Sequence, residues 1–256
     1  MTGDMIDTHC HLTDTRLLDQ IDSVMQRAAA AGVTQIMTIG THPADWPACV
    51  EMCGKWPNVR AAVGVHPNYC HQAELSDLSR LPEVLREPGV LAVGEMGLDY
   101  FHQDAPRQRQ AEFFRAQLSI ARELLRPVVI HCRQATEDTL AIMKDFASVP
   151  AVFHCFTGSL AEAKKIVAAG YYVGFTGVVT YKNAPEVRES AAHVPADRIL
   201  VETDAPYLSP EPMRRQKINE PSLVMHTAAM VAQVRGVSVG ELDRITTENA
   251  RRLFGW

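Results

Sequence analysis

Histidine is followed directly by cysteine at three places in the sequence: His9-Cys10, His131-Cys132 and His154-Cys155. A second histidine, His11, follows the first pair. Imidazole and thiolate groups are both common metal ligands, so these pairs raise the question of which side chains bind a cation. A lone histidine after an apolar run is more often structural, so the answer depends on the elements that position each residue.

Short apolar runs alternate with longer amphipathic segments along the chain. The runs predict eight strands, at residues 4–10, 34–39, 59–65, 90–94, 127–131, 151–154, 171–175 and 199–202. The amphipathic segments predict helices at residues 17–31, 46–55, 108–125, 136–146 and 160–169. Strands separated by helices pair in parallel, because parallel neighbours need a crossover connection.

Eight strand–helix repeats in a chain of 256 residues predict an α/β fold, a (β/α)8 TIM-type barrel forming a single domain over residues 1–256. An open doubly wound sheet would also alternate, but no glycine-rich nucleotide-binding loop follows any predicted strand. The tail, residues 222–256, predicts two extra C-terminal helices packed around the outside. The second should begin near Ser238, with Glu241 completing a capping box.

The predicted strands end in titratable side chains, and the C-terminal strand ends of such a barrel converge on one mouth. Besides the histidines named above, these side chains are His66, Glu95 and Asp204. Burying several imidazoles and carboxylates together without a cation would be costly. The pattern therefore predicts a metal site with the ligands His9, His11, Glu95, His131, His154 and Asp204.

Six ligands exceed the need of one tetrahedral ion and indicate two divalent metal cations, with Glu95 as the bridging carboxylate. Imidazole and carboxylate ligands suit Zn, Mn, Fe, Co or Ni, and Mg less well, so the identity of the metal stays open. Strand side chains alternate between two faces. We therefore expect Asp7, His9 and His11 to face the barrel interior and Cys10, Cys132 and Cys155 to face away from it as buried apolar groups.

Composition narrows the class of protein. The chain is 46% hydrophobic and 21% charged, with a formal net charge of −5, which is typical of a globular protein and not of a strongly basic nucleic-acid-binding domain. Six cysteines without a Cys-x-x-Cys pair favour reduced thiols. With no apolar run long enough to span a membrane and no signal peptide, we expect a cytoplasmic protein, and a monomer more readily than an oligomer.

Several blocks of sequence resemble the TatD family of metal-dependent deoxyribonucleases, within the amidohydrolase-like barrel group. They include residues 7–12 (DTHCHL), 64–67 (GVHP), 94–100 (GEMGLDY), 131–133 (HCR), 154–159 (HCFTGS), 174–182 (GFTGVVTYK) and 202–208 (ETDAPYL). The resemblance implies a barrel, hydrolysis of DNA phosphodiester bonds, and the same six metal ligands. Residues 212–221 depart from the family pattern, because they lack a glycine and are one residue longer, which leaves substrate preference open.

The mechanism expected from these residues has Asp204 taking the proton of the attacking water and Glu95 bridging the metals. His66 is expected to contact the phosphate or the leaving group, with a structural role as the alternative. Arg133, Lys182 and Arg214 are candidate substrate contacts for the DNA backbone, and the alternative is that they face solvent.

Two rival functions remain at the level of sequence. One is an amidohydrolase-like hydrolase of a small ester, lactone or amide, and the other is a non-catalytic metal- or nucleic-acid-binding module. Many small-substrate enzymes of this barrel group bridge their metals with a carboxylated lysine, whereas Glu95 stands at the end of the fourth strand here. The expected partner is therefore DNA, as single strands or ends, and no membrane.

Overall fold

A computed structural model describes residues 4–102 and 104–256. Its eight strands form one sheet in the order β1 to β8, and every neighbouring pair is parallel. The strands are β1 Met5–Cys10, β2 Val33–Gly40, β3 Val59–Val63, β4 Val90–Asp99, β5 Val128–Arg133, β6 Ala151–Phe153, β7 Tyr172–Phe175 and β8 Ile199–Val201. The predicted (β/α)8 barrel is confirmed.

Helices join the strands on the outside of the sheet. They are α1 Thr15–Leu18, α2 Ile21–Ala30, α3 Trp46–Lys55, α4 Leu81–Val84, α5 Arg107–Glu123, α6 Thr136–Met143, α7 Leu160–Ala168, α8 Pro185–His193, α9 Val224–Arg235 and α10 Val239–Phe254. The single helix expected at residues 17–31 is broken into α1 and α2, and α4 and α8 were not predicted. Among the described residues, no helix combines the length and apolar character needed to cross a bilayer.

The barrel closes between β8 and β1 beyond the short last strand. Asp204 donates its backbone N–H to the carbonyl of His9 at 2.8 Å, and His11 donates to the carbonyl of Ala205 at 2.7 Å. Lower down, the hydroxyl of Thr8 donates to the carbonyl of Val201 at 3.1 Å. These contacts bring the sequence after β8 directly beside His9 and His11.

The last helix corrects one expectation, because α10 does not pack only on the outside. Its residues Ala250, Leu253 and Phe254 belong to the same buried cluster as Ile6, Met37 and other residues that line the barrel interior. Asn249 donates to the carbonyl of Ile199, at the start of β8. The end of α10 therefore closes the N-terminal end of the barrel, opposite the mouth. The predicted N-cap is present, since Ser238 accepts the N–H of Glu241 at 3.1 Å, but among the described residues the return bond to the Glu241 side chain that would complete the capping box is not formed.

Candidate active site

A bulge in β1 places the first two histidines. Asp7 pairs with Ile36 and Cys10 with Thr38, so three residues of β1 span two residues of β2. His9 consequently reaches the site, while Cys10 lies in the buried cluster outside the barrel, as predicted. The predicted direction of Cys10 is therefore correct, but the reason given for it is not, because the side chains of β1 do not alternate without a break between Asp7 and Cys10. Asp7 does not join His9 and His11, because its carboxylate accepts the N–H and hydroxyl of Thr203 at 2.9 and 2.6 Å.

Glu95 lies within β4, directly after Gly94, which no other residue could replace unless the neighbouring backbone moved. Gly94 has a φ of +144°, and a Cβ added to it would lie 2.5 Å from the carbonyl oxygen of Val129. This close approach of β4 to β5 brings Glu95 to the middle of the mouth. Strand β4 was predicted to end at Gly94, whereas it continues to Asp99.

Glu95 is the centre of the histidine cluster. Its Oε1 lies 2.7 Å from Nε2 of His154, 2.8 Å from Nδ1 of His131 and 3.2 Å from Nε2 of His66. Its Oε2 lies 3.4 Å from Nε2 of His9. Burial by itself would raise the pKa of Glu95, but the imidazoles, led by His154 and His66, hold that pKa well below its ordinary value. One carboxylate thus faces histidines from four strands or strand ends.

Asp204 lies at the edge of the same cluster, where the mouth opens. Its Oδ1 is 3.4 Å from Nε2 of His11 and 3.6 Å from Nε2 of His9. The backbone of Asp204 is left-handed, with a φ of +57°, and this turn directs the side chain into the cavity. Burial raises its pKa, but the hydrogen bond from His11 and the charge of His9 lower it overall, so Asp204 is ionised near neutral pH.

Two more carboxylates lie behind the histidines and contact their second ring nitrogens. Oδ2 of the buried Asp99 is 2.9 Å from Nε2 of His131, whose Nδ1 faces Glu95. Oε1 of the buried Glu202 is 3.6 Å from Nδ1 of His154, and it accepts the backbone N–H of Cys155 at 2.6 Å. Carboxylates in this position fix the orientation and tautomer of a metal-binding histidine.

His66 differs from the other histidines in how its ring is held. Its Nδ1 accepts the backbone N–H of Asn68 at 3.0 Å, so the proton of the neutral ring lies on Nε2. That nitrogen points at Glu95 and into the cavity. Burial is the main cause of the lowered pKa of His66, which keeps the ring neutral. His66 therefore presents a hydrogen-bond donor to the mouth.

The arrangement fits divalent cations on its own chemistry. Both ring nitrogens of the buried His9 and His154 lack a hydrogen-bond partner of acceptable geometry within the described ranges. Buried polar atoms without partners are costly, and a cation would satisfy them. Three sets of ligand atoms lie close enough to hold an ion: His9, His11 and Glu95; His66, Glu95 and His131; and His9, His154 and Glu202. Sulfur is not part of these sets.

The two later cysteines behave differently from each other. Cys132 lies within β5 and packs against the outer cluster, with its Sγ 3.8 Å from the hydroxyl of Thr136, although part of the residue also lines the mouth. Cys155 follows a strand that ends at Phe153, and its φ of +45° breaks the alternation. Its side chain lines the mouth beside His154. The expectation that Cys155 faces away from the site was therefore wrong, because strand geometry does not extend to it.

The mouth is a cavity of about 800 Å³ that contains the cluster. Arg133 lines this cavity, whereas Lys182 and Arg214 are exposed residues that do not. Arg214 instead lies over the ring of Tyr181 at 3.9 Å. Tyr207, from the block at residues 202–208, and Tyr69, which was not predicted, are exposed aromatic residues of the rim. Tyr69 belongs to the short turn that follows His66. The only sequence feature that could have pointed to Tyr69 is the neighbouring GVHP block.

The unusual loop after β8 is tied back to the site. The side-chain amide of Asn219 donates to the carbonyls of Thr203 and Tyr207 at 2.9 and 2.6 Å. Within residues 212–221, which depart from the family pattern, residues 214–217 are exposed and precede this anchor. The loop is therefore anchored to the segment that carries Asp204.

A parallel barrel with a cluster of histidines and carboxylates at the C-terminal strand ends defines the class of metal-dependent hydrolases. The family model described as "TatD related DNase" matches residues 6–255, and the chain belongs to the TatD family. It is 38% identical to the Bacillus subtilis protein named "Uncharacterized metal-dependent hydrolase YabD", over 98% of each chain. It is 36% identical to the "3'-5' ssDNA/RNA exonuclease TatD" of Erwinia tasmaniensis, over 98% of this chain and 99% of that protein.

Solved structures agree with this assignment. The crystal structure of YJJV, a TatD homologue from Escherichia coli, superposes with a TM-score of 0.95 at 30% identity over the whole of both chains. A phosphotriesterase homology protein from Escherichia coli has a TM-score of 0.66 at 17% identity, over 99% of each chain, and shares the fold.

Proposed function

We propose that this protein hydrolyses phosphodiester bonds of single-stranded DNA, from an end, with two divalent cations. The observation that carries the proposal is that the two oxygens of Glu95 face different histidines: Oε2 faces His9, and Oε1 faces His131 and His154. A carboxylate whose two oxygens each face a possible ligand is suited to bridge two ions. The relatives named 3'-5' ssDNA/RNA exonucleases support the choice of substrate and of a 3' end.

The proposed ligands divide into two sets around Glu95. His9 and His11 bind one ion with Asp204, whose oxygen lies 3.6 and 3.4 Å from their Nε2 atoms. His131 and His154 bind the other. When bound, the cations would acidify an attacking water and neutralise charge on the phosphate. Zn, Mn, Co or Ni suit these nitrogen and oxygen ligands, and Mg suits them less well.

The chain's own residues then handle the protons. Asp204 is ionised and faces the open cavity, so it can accept the proton of the attacking water. His66 carries its proton on Nε2, which points into the same cavity, so it can donate a hydrogen bond to the phosphate or the leaving oxygen. Asp99 keeps the ring of His131 in the orientation that ligation needs, and Glu202 lies 3.6 Å from Nδ1 of His154, where a small shift would let it do the same for His154.

The test uses end-labelled DNA, single-stranded and double-stranded, beside a panel of small esters, lactones, amides and a phosphotriester. Wild-type protein loaded with Mn or Zn should shorten single strands from the 3' end, and D204N should lose at least about a hundredfold in rate. D14N is the matched control, because Asp14 lines the same cavity outside the cluster and asparagine can still cap α1. Turnover of a small substrate without DNA cleavage would favour the amidohydrolase alternative, and binding without turnover would favour a non-catalytic module.

A further inference from the structure

A second cavity of about 350 Å³ opens beside the mouth, between the segments that follow β5 and β6. We call it the side cavity; it is lined in part by Phe101, Phe153, Phe156, Gly158, Glu162 and Glu186. Cys132, Arg133, His154 and Thr157 line both cavities. A molecule bound at the cluster can therefore extend directly into the side cavity.

The lining of the side cavity suits a flat heterocycle. Phe153 and Ile166 are fully buried beneath it and Phe156 is nearly so, so the aromatic surface open to a ligand is that of Phe101, which is 52% exposed and stands at its edge. The rest of the accessible lining is mostly polar, which suits the polar edge of a base. Aromatic side chains stack on the faces of unpaired bases with little regard to sequence. The cavity is large enough for one nucleobase.

Arg133 lies at the boundary between the two cavities and offers the N–H groups of its guanidinium to a ligand. The guanidinium carbon of Arg133 lies 4.3 Å from the centre of the Phe101 ring. Over the described part of the chain, no carboxylate or carbonyl accepts a hydrogen bond from this guanidinium, whereas the guanidinium of Arg16 is bound by Asp14. A stacked guanidinium keeps its N–H edge available for a phosphate.

The acidic groups of the side cavity argue against a second phosphate inside it. Glu162 is held by the hydroxyls of Thr136 and Ser159, which lower its pKa although burial raises it, so it is ionised. Glu186 adds a further carboxylate to the lining. A polyanion would be repelled there, while the amino and imino groups of a base would meet acceptors.

We propose that the side cavity takes the base of the nucleotide next to the scissile phosphate, and that Arg133 binds the next, non-scissile phosphate of the strand. This inference rests on the proposed nuclease function and deepens it. A base paired in a duplex cannot turn into the cavity without unpairing and unstacking, and both are unfavourable. The side cavity therefore selects single strands or frayed ends over intact duplex.

The test compares a single-stranded trinucleotide with methyl p-nitrophenyl phosphate, a small phosphodiester that has no base and whose one aromatic ring is the leaving group. R133A should lose at least about tenfold more kcat/KM on the trinucleotide than on the small diester, mainly through a higher KM. F101A should show the same selectivity with a smaller loss. R107A is the matched control, because Arg107 lies over Tyr100 at 3.8 Å and neither residue lines either cavity.

The outcomes separate the two proposals. Equal losses on both substrates in R133A would show an effect transmitted through the cluster and would overturn the side-cavity assignment. Trinucleotide cleavage that is insensitive to R133A and F101A would overturn it as well, while leaving the nuclease proposal in place. If wild-type protein cleaves the small diester and no oligonucleotide, both proposals fall.

Discussion

Replacing Asp99 with asparagine should weaken metal binding although Asp99 is not itself a proposed ligand. Oδ1 of Asp99 accepts the backbone N–H groups of Phe101 and His102 at 2.9 and 2.8 Å, and asparagine retains an oxygen for them. Oδ2 accepts from Nε2 of His131 at 2.9 Å, and asparagine places a donor there. The ring must then carry its proton on Nδ1, which faces Glu95 and the proposed ion.

The size of the effect follows from which contacts are lost. The bond between Asp99 and His102 contributes little to the free energy of the site, because the His102 side chain is 43% exposed. The bond to His131 is buried and charge-assisted, and such bonds contribute about 1.5–3 kcal/mol. Loss of a carboxylate behind a metal-binding histidine typically costs 10- to 100-fold in affinity. D99N should therefore weaken binding of one ion about 10- to 100-fold.

Isothermal titration of the metal-stripped protein with Zn or Mn measures this directly. The control is D45N, because Asp45 also lines the mouth and accepts the backbone N–H groups of Thr41 and His42, yet it hydrogen-bonds to no histidine ring. One ion should bind more weakly in D99N, with the other unchanged, and D45N should match wild type. If D99N binds two ions as tightly as D45N does, the assigned role of Asp99 is refuted.

Three other predictions follow from the same contacts. Cys10→Ala should leave metal content unchanged whereas His9→Ala should lower it, as measured by elemental analysis, and metal loss from a folded Cys10→Ala protein would contradict the placement of β1. Phe254→Ala should remove the closure of the barrel bottom and lower the free energy of unfolding by about 3 kcal/mol in urea titrations, and a change below about 1 kcal/mol would argue against that packing. Glu162→Gln should lower the free energy of unfolding, with the whole of this loss seen at pH 7 and a smaller loss as the pH falls below about 4.5. The reason is that Glu162, whose pKa is lowered in the folded protein, contributes this stability only where its carboxyl is ionised. A loss that does not change with pH in urea titrations would contradict this.

Much of the fold and of the candidate site could be predicted because both follow from periodic patterns. Apolar runs at regular spacing predicted all eight strands, and the titratable residues at their ends predicted which side chains converge. The barrel brings His9, His131 and His154 around Glu95, although they lie far apart in sequence.

What could not be predicted depends on local breaks in those patterns. The bulge between Asp7 and Cys10 and the left-handed turn at Cys155 change which face a side chain takes, and neither involves glycine or proline. The extension of β4 to Asp99 was missed because Gly94 and Gly97 usually interrupt strands. The position of α10 depends on the space left at the bottom of the barrel, which only the assembled sheet defines.

The central claim is that two cations, bridged by Glu95, carry phosphodiester hydrolysis. The most direct measurement is the rate of single-stranded DNA cleavage as Mn or Zn is added back to the metal-stripped protein, with the number of bound ions determined in the same samples. We expect no cleavage without metal, full activity only as the second equivalent binds, and loss of this second equivalent in E95Q. Full activity with one bound ion, or DNA cleavage that survives in metal-free protein, would contradict the account.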